Sequence, residues 1–164
     1  MTMRIQLYTD YAIRALLYLQ KHERMCTAAE IAGAIGMSYP SFLKLAKALR
    51  RKGLMDVTQG RYGGYTLKKP AKQISVYEVY LATSGKLDIS PCLENRGKAC
   101  INEMKEHCVI YGFFVNVQDN MIAQMSQMKI SDLAHSVERD TEKDYPKNRT
   151  ATGQKHQKRF ETIA

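Results

Sequence analysis

Long apolar runs are missing from this chain: none approaches the roughly 20 residues needed to cross a bilayer. The opening MTMRIQLYTDY lacks the continuous apolar stretch of a secretory signal. A cytosolic protein is therefore expected, and in that compartment thiols stay reduced. The four cysteines would permit three disulfide pairings, but a reducing compartment works against all of them. The residue patterns of catalysis are also absent: there is no serine or cysteine triad, paired acidic site or phosphate-cradling loop. An enzyme is not expected. No internal repeat is visible. Acidic residues are scarce at one end only. Residues 1–72 hold 13 Lys/Arg against 4 Asp/Glu, a net +9, while 73–133 hold 5 against 7 and 134–164 hold 7 against 5.

The N-terminal part alone thus carries as much positive charge as the whole chain, which is +9. A concentrated basic half suits a polyanion, because each neutralised phosphate releases condensed counterions. A merely solvated surface would spread the charge.

The segment YTDYAIRALLYLQKH reads as a first helix, with Thr9 as N-cap and Asp10 in the first turn, where the helix dipole favours an anion. Ile13, Leu16 and Leu17, flanked by Ala12 and Leu19, form its apolar face. A second helix opens at the capping-box pair Thr27 and Glu30, with Ile31, Ala34 and Ile35 as buried candidates, and stops at Gly36. SYPSFLKLAKALRRKG reads as a third, capped by Ser38, with Pro40 in its first turn and Gly53 at its stop. Phe42, Leu45, Ala46 and Leu49 would face the core. Lys44, Lys47 and Arg51 line another side, with Arg50 and Lys52 nearby.

Helix, glycine turn, helix is a helix-turn-helix. LMDVTQGRYGGYTLKKP then predicts two strands, 54–58 and 64–68, whose tip carries Arg61 and Tyr62; Gly60, Gly63 and Gly64 are expected to supply positive backbone dihedrals. The combination is a winged helix. Ser38, Tyr39, Ser41 and Lys44 are the candidates for base contacts in a major groove, and Lys47, Arg51 and Arg61 for phosphates. Arg61, with Tyr62 beside it, could also reach a minor groove.

A fourth helix begins at a second capping box, Ser75 to Glu78. Further on, VIYGFFVNVQDNMIAQMSQMK predicts a long helix. Ile110, Phe114, Val117, Met121, Met125 and Met128 fall on one stripe, and little chain remains to cover it, so a second copy is the economical partner. The expected fold is mainly α with a small β-hairpin wing: a winged helix-turn-helix plus a long C-terminal dimerisation helix. Its divisions are 1–72 for DNA binding, 73–109 for a linking helix and cysteine loop, and 110–133 for dimerisation. Residues 134–164, polar and mixed in charge, are expected to be a disordered tail.

Cys92, Cys100 and Cys108 stand at equal intervals in PCLENRGKACINEMKEHC. Were 100–108 one continuous helix, Cys100 and Cys108 would lie about 12 Å apart, too far to share a small centre. Pro91 and Gly97 make the first half loop, and Cys108 falls near a helix start, where a thiolate is favoured. Soft thiolates select zinc, Cu(I) or iron–sulfur clusters. The spacing matches neither common zinc fingers nor ferredoxins. Spacing alone leaves a three-thiolate site of unspecified metal alongside packed or redox cysteines. His107 is the nearest fourth ligand by sequence, though its side chain would point about 100° away from that of Cys108 on a helix. Cys26 reads as a small buried residue.

MRIQLYTDYAIRALLYL, TAAEIAGAIGMSYPSFLKLAKALRRKGLM, QGRYGGYTLKKP and the late cysteine loop, in that order, resemble the Rrf-type family of bacterial winged-helix regulators, which has NsrR-like and IscR-like branches. The resemblance covers about residues 3–133. It implies a cytoplasmic homodimer reading a double-stranded operator, more often as a repressor. It also implies an iron–sulfur cluster of 2Fe–2S or 4Fe–4S type on Cys92, Cys100 and Cys108, sensing nitric oxide, redox or iron status. YTD matches the FTD-like opening of the NsrR branch and places Asp10 where a ligand from the partner subunit can come, ahead of His107. Two features depart from the pattern: Tyr62 interrupts the wing glycines, and the cysteine intervals are wider than in either branch. Some members lack a cluster, so a thiol switch or zinc site is the alternative reading, and an iron–sulfur electron carrier or enzyme the distant one.

Overall fold

A computed structural model describes residues 7–93 and 108–134. In chain order these form α1 (Leu7–His22), α2 (Ala28–Ile35), α3 (Tyr39–Arg51), β1 (Met55–Thr58), β2 (Gly64–Leu67), α4 (Val76–Thr83) and α5 (Val109–Gln127), with one 3-10 turn at Ala71–Gln73. Cys100, His107 and nearly all of the expected tail lie outside the described residues.

The first helix departs from its expected start. It is already helical at Leu7, so Thr9 lies inside it and does not cap it. The Thr9 side chain is fully buried, with its hydroxyl 2.7 Å from that of Thr83 and 3.1 Å from that of Ser84. Tertiary partners have taken the group that a cap would use. The buried face is also rotated: Ala12, Ala15, Leu16 and Leu19 form its centre, while Ile13 and Leu17 flank the core.

Thr27 and Glu30 close the predicted capping box on α2, the Thr27 N–H donating to Glu30 Oε2 at 2.6 Å and the Glu30 N–H to Thr27 Oγ1 at 3.2 Å. Gly36 ends that helix in the left-handed conformation at φ 67°. Ala32, not Ala34, joins Ile31 and Ile35 in the core. All four predicted core residues of α3 are buried. Each such large apolar side chain contributes roughly 1.5–3 kcal/mol, more than a typical cap at about 1 kcal/mol. Core burial therefore decides which face of α3 is left outside.

The hairpin is antiparallel, pairing Met55 with Leu67 and Thr58 with Gly64. Of its tip glycines only Gly60 has a positive φ, 117°. Gly63 and Gly64 are there for close approach: a Cβ on Gly63 would meet the Thr58 carbonyl oxygen, and one on Gly64 would sit 2.7 Å from the Cys26 carbonyl oxygen. Cys26 and Tyr65 exchange both backbone hydrogen bonds, at 3.1 and 2.8 Å, adding a third short rung to the sheet. The Tyr65 ring meets Phe42 edge-on at 5.3 Å, joining the wing to the α3 core.

α1 packs on α2, α3 and α4, and α5 packs on α4. Ser75 and Glu78 cap α4 as predicted. Beyond α5 the chain returns to the winged helix: the Ile130 N–H donates to the Ile74 carbonyl at 2.9 Å, and Ile130 is fully buried.

Candidate nucleic-acid interface and thiol site

With Phe42, Leu45, Ala46 and Leu49 committed to the core, Lys44, Lys47, Arg50, Arg51 and Lys52 are all exposed. None of these five cations is in an ion pair among the described residues. Tyr39 and Ser38 are exposed at the start of α3, and Ser41 is half-buried. Ser38 occupies the cap position but does not cap; its hydroxyl donates to Ser41 Oγ at 2.8 Å. Leu43 is also outward, which the sequence reading left to one side. At the wing tip Tyr62 is 88% exposed, and the Arg61 guanidinium stands 6.0 Å from its ring centroid. This surface is cationic and hydroxyl-bearing, the chemistry that meets phosphates and base edges.

A second set of residues runs from the first turn of α1 through the end of α4 to Cys92 and the start of α5. Asp10 Oδ2 accepts from the Arg14 Nε–H at 3.0 Å; Arg14 is buried, while the Asp10 side chain is 41% exposed. Its neighbour Thr9 reaches Thr83 and Ser84 at the end of α4. The chain then turns at Gly85, buries Leu87 and Ser90, and arrives at Cys92. The Ile89 N–H donates to Gln118 Oε1 at 3.2 Å, tying this stretch to α5. Cys92 and Cys108 are both free and half-buried, and Cys108 is the N-cap residue of α5 with no capping bond from its side chain.

Among the described residues no group of three potential metal ligands is assembled; Cys100 and His107 fall outside them. The donor chemistry of the remaining positions still fits a soft metal: two uncommitted thiols flank the segment that carries Cys100. Cys26 does not belong to that set. It is fully buried, donates weakly to the Arg24 carbonyl at 3.5 Å, and burial pushes its thiol pKa up. It is a core residue, as the sequence suggested. The Thr9–Thr83–Ser84 contact was missed; no periodicity or motif marks a pair of hydroxyls 74 residues apart.

Along α5 no residue is buried. On the predicted stripe Ile110 is 62% exposed, Met128 is exposed, and Phe114, Val117, Met121 and Met125 are half-buried. Val109 and Phe113, outside that stripe, are exposed as well, widening the uncovered apolar surface. No helix among the described residues is long and apolar enough to cross a membrane.

Comparison with known proteins agrees with this architecture. The chain is 28% identical over 133 residues to the transcriptional regulator NsrR of Shouchella clausii, covering 80% of this chain and 88% of that protein. Its fold matches the solved structure of CymR, the global cysteine regulator of B. subtilis, with a TM-score of 0.66 at 20% identity over 82% of this chain and 98% of that one. It also matches T. potens IscR, with a TM-score of 0.67 at 19% identity over 87% and 94%. The family model for Rrf2, described as an iron-dependent transcriptional regulator, matches residues 5–136. The chain belongs to the Rrf2 family of transcriptional regulators.

Proposed function

We propose that the protein is a homodimeric DNA-binding repressor whose operator affinity is gated by an iron–sulfur cluster. The observation that carries the DNA reading is α3 itself: a helix locked by four buried apolar side chains, presenting five exposed cations, none in an ion pair among the described residues, beside a hairpin tipped with Arg61. The start of α3 enters a major groove, where Ser38, Tyr39, Ser41 and Lys44 meet base edges. Lys47, Arg51 and Arg61 neutralise phosphates, and Tyr62 accompanies Arg61 at the wing. The uncovered stripe of α5 pairs with its copy, setting the distance between two recognition helices.

Cys92, Cys100 and Cys108 would hold the cluster, of 2Fe–2S or 4Fe–4S type, with Asp10 of the partner subunit as fourth ligand and His107 as the less favoured one. When bound it supplies an iron-dependent centre open to nitric oxide and oxygen. The residues of this chain provide the linkage. Asp10 and Thr9 share one turn of α1; Thr9 is bonded to the end of α4, and α1 packs directly on α3. Restraining or freeing that turn biases the position of α3, and a coupling of about 1–3 kcal/mol suffices to shift operator occupancy. Half-sites spaced by whole helical turns then fit only one of the two states.

Anaerobic isolation with visible absorption and iron and sulfide analysis tests the cluster; operator selection with holo and apo protein tests the gating. Replacing Cys92, Cys100 and Cys108 together by serine should abolish any difference between the two forms. If the cysteine protein keeps one operator affinity under all iron and oxidant conditions, the gating reading fails and an unswitched DNA-binding protein remains.

A second reading keeps the DNA interface and uses the cysteines as a thiol switch or zinc site. The free, half-buried state of Cys92 and Cys108 favours it, as does the fold shared with a cysteine regulator. Colourless protein carrying zinc or no metal would establish it over the cluster. An iron–sulfur electron carrier or enzyme would leave the basic face of α3 without a use, and the relatives are transcriptional regulators.

A further inference from the structure

A groove of about 400 Å³ opens between the first turns of α1 and the start of α3, lined chiefly by Leu7, Tyr8, Tyr11, Met37, Ser38 and Ser41. Among the described residues no charged side chain lines it; its side-chain polar groups are hydroxyls from α1 and from the start of α3. Because Ser38 donates to Ser41 Oγ, the Ser41 hydroxyl proton remains to be given elsewhere. The half-buried Tyr8 makes no side-chain hydrogen bond among the described residues. Burial raises the Tyr8 pKa, so the phenol stays protonated, a donor, through neutral pH. Ser38 lines the groove and stands at the end of α3 that reads the major groove of DNA, whose lips are rows of phosphates. Neutral hydroxyls and a short apolar floor suit one phosphodiester oxygen better than a free, doubly charged anion, which would call for cations.

We infer that this groove seats a single backbone phosphate of the operator, with Tyr8 and Ser41 as its hydroxyl donors; half-buried Ser41 thereby leaves the base-reading set, which keeps Ser38, Tyr39 and Lys44. The inference rests on α3 being the recognition helix. It adds α1 to the DNA interface: the turn that carries Thr9 and Asp10 then grips the operator itself as well as packing on α3. Such a contact positions the protein without reading sequence, and it neutralises no charge, so it leaves counterion release unchanged.

Tyr8→Phe and Ser41→Ala, each checked for an unchanged thermal melt, are titrated against the selected operator and an unrelated duplex across a salt series. Either variant should lose affinity about tenfold on both duplexes with the salt slope unaltered, the scale of one hydrogen bond to a charged group. A methylphosphonate walked along the operator should weaken wild-type protein at every gripped phosphate, and at one position in each half-site it should add nothing to the Tyr8→Phe loss. Wild-type affinity in both variants, or losses that add at every methylphosphonate position, would overturn the phosphate seat while leaving α3 in place. A specific shift on adding inorganic phosphate to the DNA-free protein would overturn it in favour of a free-anion site. Wild-type protein that binds no duplex at all removes the underlying reading, and this inference with it.

Discussion

The hydroxyl of Thr9 shows how much one atom can decide. Thr83 already gives its proton to the carbonyls of Val79 and Tyr80, at 3.0 and 3.2 Å, so Thr9 must donate to Thr83 Oγ1 and accept from Ser84. Thr9→Val keeps the shape but removes both bonds, leaving half-buried Thr83 and Ser84 each one partner short, a loss of about 0.5–1.5 kcal/mol. A urea midpoint equal to wild type would show the contact to be idle, and Thr9→Ser should recover most of the stability. Glu30 makes a second residue-scale case. The Thr27 backbone N–H, then Arg24 and the Thr27 hydroxyl, hold its carboxyl down at about 2, against an ordinary 4.5. A folded-state pKa below the unfolded one means stability that is complete above about 4.5 and is lost as pH falls towards about 2. Glu30→Gln should therefore flatten the acid side of the stability profile across that window and lower the neutral and alkaline part by a constant amount without changing its shape; an identical acid slope would contradict the cap's charge.

Among the elements, the wing depends on a backbone contact. Its sheet is only two strands plus the Cys26 rung, and an isolated hairpin is marginal in water. Gly64→Ala drives a methyl into the Cys26 carbonyl and the Met25 side chain, so the rung must open. The expected result is a stability loss above about 1 kcal/mol, with faster amide exchange at Tyr65 and Cys26. Unchanged exchange at those two amides would mean the strands absorb the methyl without parting. The long helix presents the opposite situation, an element short of contacts: nineteen residues with none buried. Ile110→Glu alters a side chain that is already 62% exposed in the single chain, so folding should survive. Sedimentation should nevertheless shift from dimer to monomer. A dimer that persists would move the self-association surface away from this face.

For the whole molecule, the question is how charge and geometry combine on DNA. Lys47 is exposed and in no ion pair among the described residues, so Lys47→Ala should leave stability within about 0.5 kcal/mol of wild type. Operator and unrelated duplexes should both be bound more weakly, with the salt slope flattened by about 1 unit, because one fewer phosphate is neutralised. An unchanged slope removes Lys47 from the interface. The contrast with Tyr8→Phe, which should lower affinity at constant slope, separates cationic from hydroxyl contacts within one face.

Much of the architecture was legible in the residue order. The helix boundaries near Thr27, Gly36, Gly53 and Ser75, the core stripe of α3 and the hairpin all follow from local rules: a cap needs an oxygen at one position, and burial needs apolar groups at helical spacing. The outward cations of α3 were readable because they are the complement of that stripe. Other features came only with the packed chain. Thr9 lies inside a helix because distant Thr83 and Ser84 claim its hydroxyl; Gly63 and Gly64 are glycines for what approaches them, not for their dihedrals; Ile130 closes the core from beyond α5. Periodicity and capping depend on neighbours within a turn or two, and so can be read along the chain. Which groups meet across 74 residues, and how close two backbones come, depends on how whole elements settle together to bury one shared core, and no local pattern contains that.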